Sequence, residues 1–423
     1  MRRGGVLAVG SVAASALTTL CSLLATILIL RVLPHQEAGR FAFLVELLYS
    51  VGLLGSLGQS SLLARVYYQQ GAKNFDWVRD ARSTILLTAP VVAAAVVLLA
   101  GPFRLSRFDG WFLFLGAALF ILTSVFSSVL AQQRHYAWSS ALVRLGNGLL
   151  IVPAILMLVA PSVRRIDFVL ASLLVFLATG ALLGGILLQR RLHRGSRVIT
   201  FGDRLTGLVF LASILALVVP QRGLIVVAGA LLEPATVAAL AAVISILRVF
   251  DLIGESAGRV FSTEMAQHSG RLNAGLFVAP WLFAALLSFG ALLVLPTMIH
   301  HFYNGRYDVA LPLLPWMIIA AASRFVEIVP RGYLAYTTTP RRLQGFAAAQ
   351  SAAAILGILL MLYWAGTQGA AGLVRASAAI AVARLMVSYL FMIPTKGRGA
   401  GSTPARQDLV VESLETRSQE PPI

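Results

Sequence analysis

Residues 166–204 read IDFVLASLLVFLATGALLGGILLQRRLHRGSRVITFGDR. Between Asp167 and Arg190 no side chain is charged, and small and branched apolar residues fill the run. A bilayer core of about 30 Å is crossed by roughly 20 apolar residues as α-helix. Arg190, Arg191, Arg194, Arg197 and Arg204 follow within a short polar stretch. An apolar run of membrane length with arginines gathered at one end is a topology signal, because basic loops stay on the cytoplasmic side.

The same pattern recurs along the chain. Twelve apolar blocks are expected as spans, near 6–30, 40–66, 83–101, 111–131, 141–160, 167–188, 205–230, 235–258, 274–297, 309–335, 343–365 and 370–392. The 423 residues are 58% hydrophobic and only 12% charged, half the charge of a soluble domain. This composition excludes a soluble enzyme and a disordered chain. The mean hydropathy, +0.83, agrees. Cys21 is the only cysteine, so neither an intrachain disulfide nor a cysteine metal cluster can form.

The net charge is +17, and all but Lys73 and Lys396 of the 34 basic residues are arginine. In a soluble protein that surplus would point to nucleic acid. Here it lies in short loops between spans, which reads as topology and gives no nucleic-acid partner. With the N-terminus inside, 20 basic residues fall on the cytoplasmic side and 7 outside, so both termini are expected in the cytoplasm. The start, Met1-Arg2-Arg3 before an apolar run, could open a signal peptide; the length of the run favours an uncleaved first helix.

Six blocks precede the 189–204 loop and six follow it. The expected fold is all-α and integral to the membrane, with two six-helix lobes, 1–200 and 201–393, around a central cavity. A polar, disordered cytoplasmic tail is expected over 394–423. A weak repeat supports the halving: Val51-Gly-Leu-Leu-Gly55 matches Phe250-Asp-Leu-Ile-Gly254. Parallel repeats of this kind are common in transporters, with the substrate site between the halves.

The chain has no G-x-x-x-x-G-K-[ST], H-E-x-x-H or G-x-S-x-G, so ATP hydrolysis, zinc proteolysis and serine hydrolysis lack their residues. Loops are too short to hold a catalytic domain. The six histidines sit in loops or at helix ends, and His300-His301 has no evident carboxylate partner, so no metal or cofactor is expected.

Charges within spans carry the functional signal, since each central Arg, Asp or Glu costs roughly 2.5–3.5 kcal/mol to insert. Arg248, Asp251, Glu255 and Arg259 share one helix face by steps of three, four and four, and Arg324, Glu327 and Arg331 share another. Such a stripe reads either as internal ion pairing or as the wall of a hydrated cavity. Arg222, two residues after Pro220, reads as an anion site beside a broken helix or as an arginine snorkelling outward. Arg144 and Arg384 lie toward the cytoplasm and allow a snorkelling reading. Ser11, Ser15, Thr18, Ser22 and Thr26 form a small polar stripe, for close packing or for cavity lining. Seven span arginines face four acids, which suits a phosphate-bearing substrate because guanidinium pairs with phosphate bidentately. The candidate diphosphate contacts are Arg222, Arg248, Arg324, Arg331 and Arg375. The candidate ion-coupling groups are Glu46, Asp251, Glu255 and Glu327.

Two segments resemble bacterial polysaccharide flippases. One is the hairpin with Arg31, Leu33, Gly39, Phe41, Gly58 and Arg65. The other is Phe302-Tyr-Asn-Gly-Arg-Tyr307 with Ala310, Leu311 and, later, Leu334-Ala335 and Thr338-Thr-Pro-Arg341. The resemblance covers most of the chain. It implies the multidrug, oligosaccharidyl-lipid and polysaccharide exporter superfamily, rocking lobes, and export of a polyprenyl-diphosphate-linked oligosaccharide across the bacterial inner membrane. Membrane lipids and polysaccharide polymerase or export proteins are the implied partners. The competing readings are a drug or metabolite antiporter of the same fold, which for cationic drugs would want an acidic interior, and a membrane polymerase or ligase, which would need a large outside loop. The G-x-x-x-D-[RK] loop of major-facilitator transporters is absent.

Overall fold

The computed structural model describes residues 2–59, 62, 63, 66, 75–132, 135–191, 195–205, 211, 222–267, 274–337 and 340–392. The expected disordered tail and the segment around Pro220 lie outside the described residues. Among those described, the chain is helical apart from turns and one isolated parallel bridge between Phe75 and Arg197. It is an all-α integral membrane protein.

The helices are α1 (Arg2–Val32), α2 (His35–Gly55), α3 (Trp77–Ala100), α4 (Arg107–Gln132), α5 (Tyr136–Leu149), α6 (Ile151–Val159), α7 (Ile166–Arg191), the short α8 (Phe201–Leu205), α9 (Arg222–Leu231), α10 (Pro234–Gln267), α11 (Ala274–Tyr303), α12 (Leu314–Thr337) and α13 (Pro340–Met392). Nine segments among the described residues are long and apolar enough to cross a bilayer, and Leu17–Val32 and Arg222–Leu231 are shorter apolar helices. The last two apolar blocks of the sequence run together in α13, which is interrupted at Gly369, where φ is 61° and ψ −142°. Glycine adopts that conformation without the Cβ clash that other residues would meet.

Two groups of helices pack around a seam. In the first group α4 touches α2, α3, α5 and α7, and α1 lies along α5 and α6. In the second, α12 packs against α10, α11 and α13. The groups meet where α1 and α2 lie on α10. Burial separates central from peripheral helices. α2 buries both faces, while α3 exposes Val97 and Leu98 and α11 exposes Leu282, Leu286 and Phe289. Apolar faces of that extent require a lipid solvent.

The segment joining the groups is fixed to the first. Asp76 donates its amide to the Arg197 carbonyl at 2.7 Å, and the Gly195 amide reaches the Phe75 carbonyl at 3.1 Å. Arg204 is buried against Asp80 at the start of α3, and also donates to Thr84 at 2.9 Å and to Gln59 at 3.3 Å. In the sequence Arg204 reads as a loop topology signal. The structure gives Asp80 and Arg204 a buried partner each.

Candidate transport cavity

The seam brings one carboxylate and two arginines together from distant parts of the chain. Glu46, midway along α2, accepts from Arg222 of α9 at 2.5 Å through one oxygen and from Arg248 of α10 through the other. An acid buried at mid-membrane needs a cation, and α2 has none on that face. Its partners come from the other helix group. One turn along α2, the Tyr49 ring lies under the Arg222 guanidinium, 4.8 Å from centroid to Cζ. The Tyr49 hydroxyl donates to Asn147 Oδ1 of α5 at 2.6 Å. A cation over an aromatic face is attracted by the ring quadrupole, so the ring and Glu46 fix Arg222 from two sides.

Beside this cluster lies a cavity of about 340 Å³, lined by Thr18, Ser22, Glu46, Tyr49, Arg144, Asn147, Arg222, Arg248 and Asp251 among others. Arg144 donates to Thr19 of α1. Arg324 of α12 donates its Nε to Asp251 at 3.3 Å. Solvent reaches the arginines: the Arg222 and Arg248 side chains keep 23% and 39% of their surface. The Arg222 Nε–H is buried and meets no acceptor among the described residues. Three guanidiniums thus serve two carboxylates, Arg144 bonds to Thr19, and the Arg222 Nε–H is unused among the described residues.

The structure sorts the candidate residues. Glu46, Arg222, Arg248 and Asp251 line the cavity, and Arg324 is tied to it through Asp251. Of the charged stripe of α10, Arg248 and Asp251 each bond to a different helix. Arg222 turns inward to Glu46 and does not snorkel outward. Glu327 lies elsewhere, bonded at 3.0 Å to Arg384, which is only 2% exposed and also donates to Gln350 at 2.6 Å. Arg384 therefore does not snorkel either; Gln350 and Glu327 hold it inside. Arg331, half-buried on α12, is not among the cavity residues. Arg375 is exposed, with Gln368 at 3.5 Å and the Trp316 ring at 5.9 Å, because it lies only six residues beyond the Gly369 break, far along α13 from Arg384. The Glu255 and Arg259 side chains lie outside the described residues. Thr18, Ser22 and Thr26 of the polar stripe on α1 line this cavity or the adjoining cleft, whereas the Ser11 and Ser15 side chains lie outside the described residues. His300 does have a carboxylate partner, Asp308 at 2.7 Å, correcting the expectation of none; no cluster of three metal-binding side chains occurs among the described residues.

The spacing of three from Arg144 marks Asn147 as a polar neighbour on the same helix face. Tyr49 is not a site candidate in the sequence, although its spacing of three from Glu46 carries the same signal.

The sequence matches no family model and no curated protein. Solved structures do match its fold. A lipid II flippase MurJ in an inward closed conformation superposes with a TM-score of 0.71 at 14% identity, covering 90% of this chain and 87% of that chain. An inward-facing multidrug resistance MATE family transporter of the MOP superfamily gives 0.64 at 13% identity, covering 97% of this chain and 99% of that one. The chain is a multi-pass membrane protein with the fold of these transporters.

Proposed function

We propose that the chain is a flippase that moves a polyprenyl-diphosphate-linked oligosaccharide from the cytoplasmic to the periplasmic leaflet of the bacterial inner membrane. In this reading twelve crossings form two six-helix lobes, with N- and C-termini in the cytoplasm, that rock about the α1–α2–α10 seam. The observation that carries it is the cavity charge. Among the described residues in and beside the cavity, Arg144, Arg222, Arg248 and Arg324 stand against Glu46 and Asp251, two more positive charges than negative, matching a diphosphate. The Arg222 Nε–H meets no acceptor among the described residues. Charge-assisted bonds to phosphate are about twice as strong as neutral ones. Likeness in fold to a lipid II flippase is in keeping with a lipid-linked substrate. Polymerase or export proteins that take the glycan afterwards are the partners this reading implies.

The same fold carries multidrug transport, as in the MATE neighbour. A net basic cavity argues against cationic drugs. The test is binding of undecaprenyl diphosphate, undecaprenyl monophosphate and a cationic dye to the purified protein. The diphosphate should bind most tightly, and Arg222→Ala or Arg248→Ala should weaken it about 10-fold or more, the loss of one charge-assisted bond. The same variants should reduce surface polysaccharide in cells without removing the protein from the membrane. Preferential binding of the dye would replace this reading with the drug antiporter.

A further inference from the structure

The two sequence motifs, the Arg31–Phe41 turn and Phe302–Tyr307, do not line the cavity. They touch each other at the end of the seam remote from the 195–205 linker. The Tyr307 hydroxyl, buried, donates to the Leu30 carbonyl at 2.7 Å. Arg306 donates Nη1 to the Arg31 carbonyl and Nε to His35 Nε2, each at 3.0 Å. The His35 and Tyr307 rings meet edge to face, centroids 5.7 Å apart.

Each motif residue has a physical reason to be there. Leu30 and Arg31 lie in the last turn of α1, where carbonyls have no partner within the helix. Leu33 still donates to Ile29, but the next position is Pro34, which has no N–H to give to Leu30. Tyr307 supplies the missing donor, and the Arg306 guanidinium complements the negative helix end. On the other side, Asn304 and Gly305 take φ of 52° and 73°, reversing the chain after α11 so that Arg306 and Tyr307 point back to α1. Gly39 completes the contact: a Cβ built there would lie 1.7 Å from the Pro234 carbonyl oxygen, at the start of α10. Only glycine lets α2 and α10 approach so closely.

We propose that these two motifs are the two halves of a clasp that holds this end of the seam shut and must part in every transport cycle. That this end faces outward rests on the orientation proposed above; the clasp itself does not depend on what is transported. The clasp accounts for Pro34, Gly39, Arg306 and Tyr307, which do not line the cavity.

The test uses the full chain in nanodiscs, without substrate, so its outcome is independent of the substrate reading. Cys21 is replaced by Ser, and spin labels are placed at Gln36 and Val309, both exposed and on opposite sides of the clasp. Double electron–electron resonance then reads closed and parted populations. Tyr307→Phe keeps the ring and removes one hydrogen bond, and should raise the parted-to-closed ratio about 5-fold. Pro34→Ala, which offers Leu30 a local N–H in competition with Tyr307, should shift it in the same direction. Arg306→Gln should add to Tyr307→Phe. An unchanged distance distribution in Tyr307→Phe and Pro34→Ala, both conservative enough to fold, would overturn the clasp.

Discussion

Arg204 lies 3.0 Å from Asp80, and the two side chains are 4% and 1% exposed. The pair fastens the segment between the helix groups to α3, and Asp80 also accepts the Ile199 amide at 3.0 Å. Removing one member of a buried pair strands the other charge, at about 3–5 kcal/mol. Arg204→Ala should therefore lower the melting temperature of the purified protein by several degrees, read by tryptophan fluorescence. An Asp80→Leu/Arg204→Leu double variant should recover most of the loss, since no charge is left stranded. A double variant as unstable as the single one would mean that the hydrogen bonds of Arg204 to Thr84 and Gln59, and not its charge, hold the segment.

Arg384 and Glu327 provide the contrast with the cavity. Both are buried, and Gln350 spans Arg384 and Ser388 with bonds of 2.6 and 2.8 Å. Arg384→Ala should destabilise the protein by about 3–5 kcal/mol and leave diphosphate affinity of the folded fraction unchanged. Arg222→Ala should do the reverse, losing affinity with little change in melting temperature. Calorimetric titration beside thermal melts separates the two, and equal effects from both variants would erase the distinction between structural pair and cavity.

Tyr49 should act through Arg222. A cation over a ring is worth about 0.5–2 kcal/mol. Tyr49→Phe retains the ring, and its diphosphate affinity should stay near wild type. Tyr49→Leu removes it and should bind about 3- to 10-fold more weakly, from the same interaction energy. A titration in which the Phe variant is as weak as the Leu variant would transfer the role to the Tyr49–Asn147 hydrogen bond.

Much of the fold was legible in the sequence, because a span announces itself by length and apolarity. Each of the twelve blocks overlaps a described helix, and the gap between the last two falls at Gly369. The split of the fifth block at Leu150 into α5 and α6 fits Pro153, which lies in the first turn of α6 and has no N–H to give to the Leu149 carbonyl. The charged stripes were legible as faces, but their partners were not. Spacing along one helix says that Arg248 and Asp251 point the same way; it cannot say that Glu46 lies 202 residues from Arg248 in sequence and beside it in space. Arg324 and Glu327, alike in helical phase, serve different partners, because α12 is flanked by α10 on one side and α13 on the other. Arg375 lies five residues into its block, beside the break at Gly369, and is exposed there, away from the cavity.

The cavity charge also bears on the driving force. Moving one charge across 100 mV is worth about 2.3 kcal/mol. A substrate with two negative charges bound among four guanidiniums and two carboxylates makes a nearly neutral complex. The loaded step would then feel little of the membrane potential. The empty cavity keeps its two positive charges, and returning them toward a negative cytoplasm releases up to roughly 4–5 kcal/mol at 100 mV on the same arithmetic. The potential should thus drive the return of the empty carrier, and net export should rise with an inside-negative potential. Among the described residues of the cavity, Glu46 and Asp251 are the carboxylates available for proton or sodium coupling, and each already has an arginine on it. Flipping in proteoliposomes under a potassium-diffusion potential, with no proton or sodium gradient, should increase with potential. In Arg248→Gln, one charge poorer, the voltage dependence of the empty-carrier return should fall by about half, and the loaded step should become voltage-dependent by the same amount. Flipping that ignores the potential and follows a pH or sodium step would transfer the coupling to those carboxylates.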